Sequence, residues 1–142
     1  MRMNDSSPLP ILPDGWERPS GYTHGWKVPE GRSILFVAGQ VGWDVNGQFA
    51  SESFAEQFGQ ALANCVAVVS KAGGSAQHIV RLTVLCLDRD QYLAQREELG
   101  KIWRSTMGSH YPAMTVVQVS SLMEDKALVE IEATAALPAV TE

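Results

Sequence analysis

The strand-like run Tyr111-Pro-Ala-Met-Thr-Val-Val-Gln-Val119, the polar turn Ser120-Ser-Leu-Met-Glu-Asp-Lys-Ala127 and the run Leu128-Val-Glu-Ile-Glu-Ala-Thr-Ala-Ala136 decide the fold. Two β-rich runs joined by a short polar turn predict a hairpin. Successive side chains of an extended strand face opposite ways. Val129, Ile131, Ala133 and Ala135 therefore share a core face, while Leu128, Glu130, Glu132 and Thr134 share the other. Two carboxylates thus stand together on one sheet surface, the most chemically suggestive arrangement in the chain.

Upstream of this stretch, Asp88 or Asp90 starts a helix ending at Gly108, with Tyr92, Arg96, Leu99 and Trp103 on one stripe. Ile79 to Leu87, apolar except for Arg81 and Thr83, reads as a strand buried on at least one face. A longer helix starts at Ser53, with Glu56 completing a capping box, and stops at Gly73-Gly74. Tyr22 to Val28 and Ser33 to Ala38 read as a first hairpin across Pro29-Glu-Gly-Arg32. The glycines of Gly39-Gln-Val-Gly42 mark a bulge or a close approach to the backbone. Residues 1–20, with Pro8, Pro10, Pro13 and Pro19, read as a proline-rich N-terminal arm without regular elements, and residues 21–138 as a single domain.

The order strand, strand, helix, strand, helix, strand, strand predicts an α+β fold: a mixed sheet with two helices packed on one face. The other face would expose Leu128, Val116 or Val117 and part of the Ile79 strand, which predicts an oligomer whose subunits cover it.

A chain of 142 residues that is 45% hydrophobic can bury a core without staples. The net charge of −5 and the lack of a basic run argue against nucleic acid as a partner. Cys65 and Cys86 sit in apolar periodic segments and read as packing thiols in a reducing setting. No signal-like or membrane-spanning run occurs, so a cytoplasmic protein with no membrane partner is expected. His24, His78 and His110 are scattered without ligand spacing, and no metal is expected. There is neither a nucleophile elbow nor a phosphate-cradling loop.

The carboxylates remain. A strand glutamate in a sheltered cleft can hold or protonate a water or a leaving nitrogen near neutral pH, whereas the same residue on an open sheet is only a solvated charge. Periodicity leaves both readings open for Glu130. Arg96 is either a carboxylate-binding fork or a helix surface charge paired with nearby acids.

Three segments resemble the Rid family, the YjgF-type proteins also labelled L-PSP endoribonucleases. They are Leu35-Phe-Val-Ala-Gly-Gln40, the first helix with Gly73-Gly74 and Ile79-Val-Arg-Leu-Thr-Val84, and Tyr111-Pro-Ala with Val129-Glu-Ile-Glu-Ala133. The resemblance implies a chorismate-mutase-like subunit assembled as a homotrimer, with small-molecule clefts between subunits and no cofactor. It implies hydrolysis of imine or enamine intermediates, with Glu130 positioning water, Tyr22 and Gly39 beside the ligand, and Thr115 and Val116 supplying backbone groups near the water. The family's carboxylate-binding arginine corresponds to Met114, and a thioether cannot replace a guanidinium. Arg96 falls where the family often has an asparagine and offers a relocated charge. A hydrolase or deaminase weak on 2-imino acids is therefore expected. The alternatives are a non-catalytic ligand-binding or interaction trimer and, less favoured by the acidic charge, an endoribonuclease.

Overall fold

The computed structural model describes residues 7–139, so the first six residues of the arm lie outside it. Six strands and three α-helices follow in order: β1 (Leu9–Ile11), β2 (Gly25–Lys27), β3 (Ser33–Gln40), α1 (Phe54–Lys71), β4 (Ile79–Cys86), α2 (Arg89–Ala94), α3 (Arg96–Met107), β5 (Ala113–Gln118) and β6 (Val129–Leu137). A 3-10 turn at Ala76–His78 leads into β4.

The main sheet runs β3-β6-β4-β5, with β6 antiparallel to both its neighbours and β5 parallel to β4. Two expected hairpins are therefore corrected. β5 and β6 are not neighbours, because β4 lies between them. Val119 N donates to Cys86 O at 2.8 Å and Leu87 N to Leu128 O at 3.2 Å, so both ends of the polar turn are tied to the end of β4 and the turn crosses over it. In the first expected hairpin, β3 pairs with β6 instead, and β2 pairs with β1 from the proline-rich arm. The arm thus carries a strand that the proline count argued against.

The α1 segment starts as its cap predicts: the Ser53 side chain accepts from Glu56 N at 3.4 Å. Its apolar stripe buries Phe54, Phe58, Ala61, Leu62, Cys65 and Val69 against the sheet, and Gly73 (φ 94°) lets the chain turn away. The Asp88 carboxylate caps α2 by accepting from Asp90 N and Gln91 N. The second predicted helix is in fact two, broken at Gln95, which has left helical geometry at φ −107° and ψ 17°.

The core lies between α1, α3 and one sheet face. Val129, Ile131, Ala133 and Ala135 are buried there as the alternation requires, with Leu82, Val84 and Cys86 of β4 beside them. The opposite face carries no helix and exposes Phe36 (79%), Ile34 (46%) and Val117 (41%). Val116 and Leu128, which were candidates for that face, pack instead against the core.

Candidate functional site

A cavity of about 670 Å³ opens along β5, an edge strand of the sheet. Met114, Val116 and Gln118 stand in register with Leu82, Val84 and Cys86, which puts them on the helix side as the cavity floor. Phe58, Tyr92, Leu99 and Trp103 form the apolar wall, and Ser20, Gly21 and Tyr22 close it from the N-terminal side. The Tyr22 segment is held there by long-range hydrogen bonds: Thr23 Oγ1 donates to Tyr111 O at 2.6 Å, Thr23 N to Pro112 O at 3.1 Å and Trp26 Nε1 to Tyr111 O at 3.0 Å. Tyr111 in turn stacks on Trp103, the rings 5.8 Å apart and 2° from parallel. Of the residues singled out from the sequence, the cavity gathers Tyr22, Arg96, Met114 and Val116. Burial, and then the Cys86 thiol, hold the Tyr92 phenol above its ordinary value, with Arg96 opposing the rise.

Glu130 and Gly39 form a separate pair. A Cβ built on Gly39 would fall onto the Glu130 carboxylate, 2.8 Å from Cδ, so only glycine leaves the acid its place. The bulge between Val37 and Gln40 sets this approach. Glu130 stands opposite Leu85, and Leu85 opposite Val117. That row belongs to the uncovered sheet face. Glu132 stands opposite Thr83 and Thr83 opposite Thr115 in the next row, where Glu132 is exposed. Within one chain, then, Glu130, Gly39 and Thr115 lie on one side of the sheet, and Met114, Val116, Arg96 and Tyr22 line the other. Val117 belongs to both, being on the open face and also at the cavity. Glu130 is two strand spacings from it, about 10 Å.

The thiols are poor nucleophiles by environment. Burial pushes Cys65 up to about 12, and its Sγ lies 3.4 Å from Ile131 O. Burial also raises Cys86. No cluster of three metal-ligating side chains occurs among the described residues, and no helix there is long and apolar enough to cross a membrane.

Two functional features escaped the sequence reading. The cavity also takes Arg89 and Arg104, and a legible signal existed for the second: Arg96, Gly100 and Arg104 recur at i, i+4 and i+8 on one helix face. The other is Gln57, buried on α1, whose Nε2 donates to Ser51 O and Lys126 O (both 3.0 Å) and whose Oε1 accepts from Leu128 N (2.8 Å). It fastens the chain just ahead of Glu130.

The family model described as endoribonuclease L-PSP matches residues 18–137. A RutC family protein of Pyrococcus abyssi is 30% identical over 132 residues, 92% of this chain and 91% of that protein. The human 2-iminobutanoate/2-iminopropanoate deaminase is 31% identical over 102 residues, 71% of each chain. Among solved structures, a member of the conserved Rid protein family from Yersinia pestis aligns with a TM-score of 0.81 at 30% identity, covering 92% of this chain and 99% of its own. E. coli TdcF with bound serine aligns with a TM-score of 0.65 at 27% identity, covering 94% of both chains.

Proposed function

The chain belongs to the endoribonuclease L-PSP family, the Rid or YjgF group, and on that premise we propose that it hydrolyses a small imine, enamine or related metabolite in a cleft between subunits of a cytoplasmic homotrimer. The observation that carries this reading is the division of candidate residues between the two sides of one sheet. Glu130 stands on the uncovered face and the ligand-lining residues stand in the β5 cavity, so a second subunit packed over the open face is what would bring a cavity and a carboxylate together. Burying Phe36 and Ile34 would drive that packing.

In this reading Glu130 holds and deprotonates the attacking water, and the free edge of β5 at Thr115 and Val116 offers backbone groups to water or substrate. Gly39 leaves room for the carboxylate, and Tyr22 packs on the ligand. Water adds to the imine carbon, and proton transfer to nitrogen releases ammonia and a carbonyl compound. No cofactor is required for this chemistry. Met114 removes the strand guanidinium, which would weaken a short 2-imino acid by on the order of 2–5 kcal/mol.

The test is ammonia release from imines generated in situ. Imines with an apolar body larger than that of 2-iminobutanoate should turn over, Glu130→Gln should lower the rate by roughly 10²- to 10⁴-fold, and 2-iminobutanoate should be a poor substrate that Met114→Arg improves. Turnover of 2-iminobutanoate by the unaltered chain at the rate of its arginine-bearing relatives would sink the role given to Met114. The apolar side chain at position 114 also favours a second reading, a ligand-binding trimer without catalysis. Saturable binding with no turnover of any imine, unchanged by Glu130→Gln, would establish it.

A further inference from the structure

We infer that the β5 cavity is an anion site whose charge comes from the helices, and that its ligand is a carboxylate carrying a flat apolar body. This rests on the cavity being the ligand cleft proposed above and names the class of ligand it takes. In a chain of net charge −5, three of the eleven Lys and Arg residues, Arg89, Arg96 and Arg104, line this one cavity, and among the described residues no Asp or Glu does. Among the described residues neither Arg96 nor Arg104 forms an ion pair, while Arg89 has only the exposed Asp90 at 3.6 Å. Cations gathered round a low-dielectric recess focus positive potential into it.

Gly100 supports the same conclusion. Glycine inside a helix costs about 1 kcal/mol relative to alanine, yet it stands in mid-α3 between Arg96 and Arg104, one turn from each. A Cβ built there would lie 3.3 Å from Nη1 of Arg104. The missing side chain leaves room for that guanidinium to lie close along the helix at the rim of the cavity, where Arg104 stays exposed to solvent. Below this charged rim lie Tyr92, the stacked Trp103 and Tyr111, and Met114. A volume of about 670 Å³ with an aromatic wall is far larger than a two- or three-carbon acid fills. Met114, in place of a charged strand residue, turns the floor into an apolar surface. The carboxylate grip thus lies on α3, and the floor where charge was expected receives the ligand's body.

The experiment is calorimetric titration of the full chain with phenylacetate, its neutral amide phenylacetamide, and acetate, with Trp fluorescence as a second readout because Trp103 lines the cavity. Phenylacetate is expected to bind at least tenfold more tightly than either of the others, and more weakly as salt is raised. Arg96→Gln and Arg104→Gln, both at exposed positions that leave the fold intact, should each weaken phenylacetate at least fivefold and leave phenylacetamide unchanged. Equal affinity for phenylacetate and phenylacetamide, or no effect of either arginine change, overturns the inference. Imine turnover that depends on Glu130 without this discrimination would leave the hydrolase reading standing alone. Discrimination with no turnover would do the reverse.

Discussion

Gly39 and Glu130 constrain one another on the open sheet face. Gly39→Ala would drive a methyl into the carboxylate, and the strand must shift or the acid must leave. We expect little change in urea unfolding, because the end of the Glu130 side chain can swing aside, together with the loss of any Glu130-dependent turnover. Gln57 presents a different case. Its amide serves three backbone groups of two loops while almost wholly buried. Gln57→Ala strands them, and we expect it to cost on the order of 2–4 kcal/mol in the same measurement, since each buried group left unpaired costs about 1–3. These two residues mark the limit of a one-chain reading. The glycine is legible, because Gly39 and Gly42 in a β-rich run announce close approach. Gln57 is not, because a glutamine among Phe54, Phe58 and Leu62 looks like an ordinary polar position until its loop partners are known.

The elements show the same division. Strand and helix identities follow from periodicity and caps, so α1, β4 and β6 fall where their patterns put them. Pairing does not follow, because alternation fixes which face is buried and says nothing about which strand lies alongside. Consecutive strands usually pair, and the ten residues between β5 and β6 invited that choice. The outcome is set instead by Val119 and Leu128, both bonded to the end of β4. The break at Gln95 was also hidden, since Tyr92, Leu99 and Trp103 keep one stripe across it. Asp88 is the anchor of the short helix ahead of that break. Asp88→Ala should remove about 1 kcal/mol of capping and raise amide hydrogen exchange across Arg89–Ala94 more than across Arg96–Met107.

For the molecule as a whole, acidity and assembly are the accessible tests. His110 is buried, its Nε2 2.6 Å from Ile79 O, and burial holds it below its ordinary value of 6.5. His78 is also lowered, first by burial and then by Arg32 and His110. Between the folded and unfolded values the unfolded chain binds more protons, so stability is complete above pH 6.5 and falls as pH drops below it. The melting temperature should therefore decline from pH 7.5 to pH 5, and less so in His110→Gln. Assembly is tested at Phe36. Replacing it with Asp puts a charge on the exposed apolar face, at the edge strand β3, and light scattering after gel filtration should shift from the proposed trimer to monomer. The strand order also governs how the molecule is made. β6 follows the other described strands in the chain yet is an inner one, wedged between β3 and β4. Until its residues have left the ribosome, β3 and β4 have no shared neighbour and the core face has no floor. The apolar faces of β3 and β4 thus stay uncovered until β6 has been made, a stage at which exposed strand edges favour aggregation.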